Sequence, residues 1–202
     1  PSSITFYECS VNIKESHFEN NLFGDDYLNF FRCKDVLVQK SIFKNIFSDA
    51  IDSDFSNIDL YNNFFENIGN DAIDLSGSTS NIYKNSFTTV SDKCISVGEN
   101  SSCIIENNIF KNSELSIVVK DGSSIESRLN SFDKIKIEYV FFVKKPYYGP
   151  PKINEIEENN PLTILSEKNI VLDNLNLDCH NVRLENKVES LLYGRQYGKS
   201  SK

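Results

Sequence analysis

The chain lacks several residue types, and each absence narrows the chemistry that it can support. Its 202 residues include no Trp and no Met, and only two His, five Pro and eight Gly. Two histidines leave little material for imidazole-based catalysis or metal binding. The five cysteines contain no C-x-x-C pair, which argues against a zinc site.

Long apolar runs and an excess of basic residues are also missing. No apolar run approaches the roughly 18 residues needed to span a bilayer, so we expect no membrane insertion. Lys and Arg total 21 against 29 Asp and Glu, a net charge of −8 at pH 7. This balance works against binding to nucleic acid or anionic lipid and favours neutral or cationic partners. The absence of a signal peptide and of an initiator Met predicts a fragment of a longer polypeptide or a processed product.

Phenylalanine, by contrast, is abundant and recurs at nearly constant spacing. The intervals between six of these residues are 25, 22, 22, 23 and 22, and an Asn or a Ser stands two residues before each one. Alternating apolar pairs lie between them, separated by Gly, Asn, Asp and Ser, which is typical of strands and turns. Because the repeat is far longer than a hairpin, we predict that equivalent strands pair in parallel and stack like residues on like. The six residues are Phe18, Phe43, Phe65, Phe87, Phe110 and Phe132.

A column of asparagines accompanies the Phe column. Positions 63, 85, 108 and 130 are all Asn. An Asn-rich composition would explain the number of asparagines but not their constant position within the repeat. This constant position predicts a ladder of inward-turned side-chain amides that hydrogen-bond along the stack where the backbone bends.

The repeat predicts an all-β fold, a single-stranded right-handed parallel β-helix solenoid of about eight rungs with a short C-terminal cap. We assign residues 1–177 to the β-helix and 178–202 to the cap and a disordered tail. The Pro-rich segment 144–151 interrupts the ladder and is predicted to protrude as a loop. Apolar residues at near-helical spacing in 182–192 predict the cap, because the open end of a solenoid needs a cover.

The five cysteines leave one unpaired under any full bridging. Cys9 and Cys33 lie 24 residues apart, a spacing that lets them face each other on adjacent rungs. The interpretation that we favour is that the cysteines are buried free thiols acting as small hydrophobic residues.

The rungs resemble a known family. Segments 71–78, 92–102 and 117–123, between the Asn-x-Phe repeats, resemble the right-handed parallel β-helix repeat family over about residues 4–177. The resemblance implies the fold but specifies function poorly, since this scaffold serves pectate lyases, polygalacturonases, uronate epimerases, phage tailspikes and many surface proteins. The most similar members that we identify are β-helix segments of large bacterial surface proteins, for which the resemblance implies no activity.

The enzymes of that family provide a test. The resemblance would imply catalysis if the Asn-Thr-Asp and Gly-His-Gly segments of polygalacturonase-like members, or the Asp-Pro-His-Glu of epimerase-like members, were present. None of these segments occurs in the chain. We therefore assign no catalytic residue from the resemblance.

Two acidic segments, 49–54 and 71–74, lie one repeat apart. If the isoleucines in them point inward, Asp52, Asp54 and Asp74 project from one outer face. Like charges at rung spacing are destabilising, so solvent, a neighbouring cation or a function that uses a raised pKa must offset them. The three carboxylates are therefore candidate ligand-binding residues and a candidate Ca²⁺ site.

Purely structural explanations also fit this acidic region. Asp49 and Asp71 fit Asx-turns that cap the bend before each strand, and the other carboxylates fit a solvated acidic face. Lys93 is the neighbouring cation that we expect to offset part of the charge.

A second candidate surface is aromatic and basic. Tyr147 and Tyr148 lie in the predicted loop with Lys144 and Lys145, and Tyr139 is grouped with them. Tyr rings on a protruding loop can stack against sugars while Lys binds carboxylates. The alternative is a loop whose aromatic rings pack onto the flank of the solenoid.

These patterns favour a non-catalytic β-helix module of a larger extracellular or cell-envelope protein. It would act as a rigid spacer or a glycan-binding surface, with no cofactor other than Ca²⁺. The alternative is a carbohydrate-active lyase, hydrolase or epimerase that uses Asp52, Asp54 and Asp74. Rungs of 22 or 23 residues leave almost no room for loops that would wall an active-site groove, which favours the module.

Overall fold

The structure is a computed structural model that describes residues 2–193. Two 3₁₀ turns, Pro146–Tyr148 and Leu177–Cys179, and one short α-helix, α1 (Glu189–Leu192), are its helical pieces. All other regular elements of this part of the chain are strands. In chain order they are β1 (Ile4–Tyr7), β2 (Val11–Lys14), β3 (His17–Glu19), β4 (Asp26–Phe31), β5 (Val36–Gln39), β6 (Ile42–Ile46), β7 (Asp49–Asp54), β8 (Asn57–Tyr61), β9 (Phe64–Ile68), β10 (Ile73–Ser76), β11 (Thr79–Tyr83), β12 (Ser86–Val90), β13 (Lys93–Gly98), β14 (Ser102–Glu106), β15 (Ile109–Lys111), β16 (Leu115–Lys120), β17 (Ser124–Arg128), β18 (Ser131–Asp133), β19 (Ile137–Phe142), β20 (Lys152–Glu157), β21 (Thr163–Glu167) and β22 (Asn181–Glu185).

The strands form three parallel sheets, which the chain visits in turn as it coils. The first sheet has the order β1-β4-β7-β10-β13-β16-β19-β21-β22. The second is β2-β5-β8-β11-β14-β17-β20, and the third is β3-β6-β9-β12-β15-β18. The result is a β-solenoid of about eight turns, which confirms the predicted fold class.

The predicted Phe column runs through the core beneath the third sheet. Phe43, Phe65, Phe87 and Phe110 are fully buried. From Phe43 to Phe132, successive ring centroids are 4.8 to 5.2 Å apart, and successive rings are within 9° of parallel. This spacing matches the distance between hydrogen-bonded strands, so each ring packs on the ring of the next turn.

The predicted asparagine ladder is also present. The backbone N–H of Asn63 donates to Oδ1 of Asn85 at 2.8 Å, and Asn85 and Asn108 repeat the contact to the next Asn at 2.8 and 2.9 Å. Each residue before a ladder Asn, for example Lys84, has a φ near 56°. This left-handed bend takes the following N–H out of the strand pairing, and the side-chain amide of the next turn satisfies it.

The ladder ends on a carboxylate that the sequence analysis did not identify. Glu158 accepts the backbone N–H of Asn130 at 2.6 Å and its side-chain amide at 2.8 Å. The Tyr139 hydroxyl donates to the same carboxylate at 2.7 Å. Tyr139 is fully buried, so its predicted place on an exposed aromatic surface was wrong: its hydroxyl is needed inside the coil, where it holds the ladder terminus.

A second ladder, which we did not predict, follows the corner between the first and second sheets. The backbone N–H of each member except the last donates to the hydroxyl of the serine one turn further on, at 2.8 to 3.2 Å. These serines are all buried. The members are Cys33, Ser56, Ser78, Ser101 and Ser123.

The C-terminal segment departs from the predicted helical cap. Residues Asn181–Glu185 form β22, which pairs with β21, and only Glu189–Leu192 is helical. Val188 and Leu192 pack against an apolar patch on the outer side of the first sheet. Burial of that patch explains why the segment covers the flank of the sheet. The patch consists of Leu115, Val118, Val140, Phe142 and Leu165.

Residues around the predicted boundary at residue 177 have mixed positions. Ile170 and Leu175 are buried, whereas Leu177 is exposed. The first sheet continues beyond it through β22, and the division into two domains at this point stays a prediction. Most of the predicted disordered tail, 194–202, lies outside the described residues. Within 2–193, no helix is long and apolar enough to cross a membrane.

The cysteines are free, and only three of them behave as small hydrophobic residues. Cys33, Cys94 and Cys103 are buried, as expected, whereas Cys9 and Cys179 are exposed. Cys9 is exposed because it lies in the first turn, which has a neighbour on one side only. Cys179 lies in the second 3₁₀ turn, outside the sheets.

We predict that Asn85→Ala destabilises the protein by about 3 kcal/mol, because it leaves the buried N–H of Asn63 without its acceptor and removes the side-chain donor to the carbonyl of Leu60. Urea unfolding followed by circular dichroism measures the loss. Asn81→Ala is the matched control, since its exposed amide contacts the exposed Asp59, and we expect a change within about 0.5 kcal/mol. Equal effects of the two substitutions would contradict the ladder's role.

Candidate functional site

The outer face of the first sheet carries the predicted carboxylates. Ile51 and Ile73 are buried, so Asp52 and Asp74 point outward from β7 and β10, where they are directly paired in register. Asp54 lies on the same face, two residues after Asp52. The structure therefore brings the three predicted residues together, and their role as ligands stays a prediction.

Asp52 lies in a setting that disfavours its charge. Asn29 donates its side-chain amide to Asp52 at 2.8 Å and to Asp54 at 3.3 Å. Burial, followed by the charges of Asp54, Asp74 and Asp26, raises the pKa of Asp52 from 3.8 to about 8. Burial also raises the pKa of Asp54. Within residues 2–193, neither carboxylate has a cation in an ion pair.

Asp74 has the opposite environment, because a lysine reaches it from two turns away. Lys120 Nζ lies 3.9 Å from Asp74 Oδ1 and donates to the Ser96 hydroxyl at 3.0 Å. Burial alone would raise the pKa of Asp74, but Lys120 and then Lys93 outweigh it and lower the pKa. Two neighbouring carboxylates, Asp52 and Asp74, are thus pushed in opposite directions.

The reach of Lys120 depends on a glycine that the sequence analysis did not single out. Gly98 lies on the outer face of β13, between Lys120 and Asp74. A Cβ at Gly98 would stand 2.6 Å from Cε of Lys120, too close for the lysine chain to keep its path. In the sequence, a glycine at an outward strand position was the signal that another group passes close to the backbone there.

The predicted cation Lys93 forms its ion pairs with two buried carboxylates, although its charge also lowers the pKa of Asp74. Its Nζ lies 3.1 Å from Asp71 and 2.6 Å from Asp92, and all three side chains are buried. Burial opposes the charge of Lys93, but these two carboxylates outweigh it and raise its pKa well above the ordinary value. Such a buried, hydrogen-bonded triad is part of the scaffold.

Asp49 and Asp71 also have structural hydrogen bonds, although not in Asx-turns. Asp49 Oδ1 accepts the N–H of Asp71 at 3.0 Å, and Asp71 Oδ1 accepts the N–H of Lys93 at 3.1 Å. The bonds run to the next turn of the coil, at the corner between the third and first sheets, whereas an Asx-turn bonds its own turn.

The carboxylates do not converge as a metal site does. In the described part of the chain, no group of three or more His, Cys, Asp or Glu side chains is arranged to hold a metal ion. The predicted Ca²⁺ site at Asp52, Asp54 and Asp74 therefore has no geometric support.

The predicted aromatic loop connects β19 to β20 and is fixed at its base. The backbone N–H groups of Lys144 and Lys145 both donate to Asp121, at 2.7 and 2.6 Å. Tyr147 is 78% exposed, and its ring centroid lies 4.6 Å from that of Tyr148. The rings therefore remain available at the surface.

The two loop lysines are already engaged within the protein. Lys145 forms an ion pair with Glu99. Lys144 Nζ lies 4.6 Å from the ring centroid of Tyr193, which also faces Lys93 at 5.6 Å. These contacts place the loop on the same outer side of the first sheet as the acidic region, although the C-terminal segment covers the apolar patch on that side. From β4 to the loop after β19, this side is on the order of 25 Å long at one strand spacing per turn. We name this surface the first-sheet face.

A shallow groove crosses the outer side of the second sheet, and the sequence analysis missed it. Its volume is about 550 Å³. Polar side chains line it, among them Asn57, Asp59, Thr79 and Asn81, and Asn81 donates to Asp59 at 2.7 Å. The available signal was the recurrence of polar residues at outward strand positions one repeat apart.

Comparison with known proteins agrees with the architecture. The family described as the right-handed β-helix region matches residues 2–149, and the chain belongs to this family. No curated protein and no solved structure matches the chain. The family membership supports the predicted resemblance and carries no specific activity.

We predict that wild-type stability falls as pH rises from about 5 to about 8. A carboxyl whose pKa is higher in the folded protein than in the unfolded chain keeps its proton to a higher pH when the protein is folded. Between these two pKa values, a rise in pH therefore favours unfolding. Asp52→Asn should reduce this slope and raise the melting temperature at pH 8 by roughly 2–5 °C. Thermal unfolding from about pH 5 to about pH 9 measures both.

Asp133→Asn is the charge-matched control, because Asp133 is exposed on β18 of the third sheet. It should leave the slope unchanged. A wild-type slope that persists undiminished in Asp52→Asn would contradict the assigned environment of Asp52.

Proposed function

We propose that this right-handed β-helix is a non-catalytic module of a larger extracellular or cell-envelope protein, and that its first-sheet face binds carbohydrate. The observation that carries the proposal is the set of polar and aromatic groups on that face. Asp52 and Asp54, which have no ion pair within residues 2–193, lie on it with the amide of Asn29, and the loop adds the exposed ring of Tyr147.

Rigidity supports the role of a spacer or platform. Ladders of side-chain to backbone hydrogen bonds follow the corners of the coil, and a column of stacked rings fills the core. Each turn is therefore held to the next by contacts that do not depend on loops. A binding face on such a frame loses little conformational freedom when a ligand docks.

The chemistry of the face suits a polyhydroxylated or cationic sugar. Carboxylate and amide oxygens at Asp52, Asp54 and Asn29 accept hydrogen bonds from hydroxyl or ammonium groups. Burial, with the charges of neighbouring carboxylates, raises the pKa values of Asp52 and Asp54, so a cation or a hydrogen-bond donor bound there would stabilise their ionised form. Tyr147 offers a ring on which a sugar can stack.

One observation favours an enzyme as the second candidate. Asp52 and Asp74 are neighbours in register with pKa values shifted in opposite directions, the pattern of an acid paired with an ionised carboxylate. Strand spacing of about 4.8 Å is close to the separation of about 5 Å in retaining glycosidases. The Asn-Thr-Asp, Gly-His-Gly and Asp-Pro-His-Glu segments of the family's enzymes are missing. Turns of 22 or 23 residues supply no walls around these carboxylates, which favours binding without catalysis.

A glycan array probed with the purified chain, with Ca²⁺ and with a chelator, tests the proposal. We expect binding to at least one class of neutral or amino-sugar glycan. The double variant Asp52→Asn/Asp54→Asn should weaken that binding by about tenfold or more, measured as Kd by calorimetry. Incubation of each bound glycan with the protein, followed by mass analysis, separates the two candidates, because only an enzyme shortens or alters the glycan.

The control variant is Asp133→Asn, which removes an exposed charge from a different sheet. It should bind the same glycans with unchanged Kd. The proposal fails if the array retains no glycan, or if Asp133→Asn and the double variant lose binding equally.

A further inference from the structure

Two cysteines occupy the exposed end of the serine ladder. Tyr7 pairs in register with Phe31, and Cys9 and Cys33 each stand two residues further along. Ser56 follows Asp54 at the same interval, so the column reads Cys, Cys, Ser as it leaves the first turn. The two sulfur atoms lie 3.9 Å apart, and this is the one sulfur–sulfur contact among the five cysteines.

The presence of cysteine in place of serine at this end of the column has a chemical consequence. Further along the ladder, each hydroxyl accepts a backbone N–H from the preceding turn. A thiol is a weak acceptor, so cysteine serves this column poorly as a hydrogen-bonding residue. What a Cys pair adds is the ability to form a covalent bond between turns.

The backbone geometry suits that bond. Equivalent residues of adjacent parallel strands lie about 4.8 Å apart, inside the range of about 4.4 to 6.8 Å between the Cα atoms of a disulfide. Cys9 is exposed to oxidants, whereas its partner Cys33 is buried beneath it. The 3.9 Å between the two sulfur atoms has to shorten to about 2.0 Å for the bond to form.

The first turn is also where a covalent link would matter most. Its strands β1, β2 and β3 contain no fully buried residue and pair on one side only. Terminal turns of this kind open with the least free energy. A link from Cys9 to Cys33 would tie this turn to the second one, where Phe30 and Val38 are fully buried.

We propose that Cys9 and Cys33 form a disulfide in the presence of a small-molecule disulfide oxidant, and that it fastens the first turn to the body of the solenoid. The Cys9 thiolate attacks one sulfur of oxidised glutathione, forming a mixed disulfide and releasing one reduced glutathione. The Cys33 thiolate then attacks the Cys9 sulfur, forming the Cys9–Cys33 bond and releasing the second reduced glutathione. Two protein thiols are oxidised and one glutathione disulfide is reduced.

The test is oxidation of the whole chain by oxidised glutathione, followed by alkylation of the remaining thiols and mass analysis. We expect loss of two thiols without a glutathione adduct, and a tryptic peptide pair joined through Cys9 and Cys33, since Lys14 and Arg32 separate the two residues. Hydrogen exchange in β1–β3 should slow by roughly tenfold on oxidation, while β13–β16 are unchanged.

Two variants distinguish the proposed bond from accidental oxidation. Cys33→Ser extends the serine ladder by one residue, so it should fold, and Cys9 should then retain glutathione as a mixed disulfide. Cys179→Ser removes the other exposed thiol and should leave the linked peptide unchanged. A stable glutathione adduct on Cys9 of the wild-type chain, or a link from Cys9 to any cysteine other than Cys33, would overturn the proposal.

Discussion

The whole structure depends on the bends between sheets, where backbone N–H groups leave the strand pairing and point along the stack. A buried N–H without a partner costs as much as a lost hydrogen bond, and a coil with three bends per turn multiplies that cost. Side chains from an adjacent turn accept these groups: Asn85 and Ser78 from the next turn at two of the corners, and Asp49 from the preceding turn at the third. Each corner can be satisfied only if the adjacent turn places a short polar residue at the matching position, which is why the repeat length hardly varies.

The register that stabilises the core is unfavourable on the outer side of the coil. Stacking like on like favours Phe on Phe within the core, but it also sets Asp above Asp on the first sheet. Two lysines compensate for the resulting repulsion: Lys93 forms an ion pair with Asp71, and Lys120 with Asp74. Asp52 receives an amide and no cation, and its raised pKa marks the place where the repeat leaves charge uncompensated. We regard that imbalance as the physical basis of the proposed binding face.

Much of the fold was predictable because its determinants are periodic. The Phe and Asn columns recur at one position per repeat, so their stacking followed from spacing alone. Three of the missed features lack a period: Glu158 ends the Asn ladder from a loop, Lys120 reaches across two turns, and β22 joins the sheet after an irregular stretch. The serine ladder was missed although it recurs once per turn. Tyr139 was misplaced although it pairs in register with the buried Ile117, and its partner Glu158 lies outside the repeat. At the candidate site, register placed the carboxylates correctly, but which one would gain a lysine depends on long side chains that no spacing rule describes.

Hydrogen exchange at the ladder amides tests the central claim most directly. If side-chain acceptors from successive turns hold the bends, the backbone N–H groups of Asn63, Asn85 and Asn108 should be among the slowest to exchange in the protein. The backbone N–H groups of Leu22 and Phe23, two highly exposed residues in the loop between β3 and β4, serve as the reference. Exchange at the ladder positions that is as fast as at a free surface amide would contradict the account.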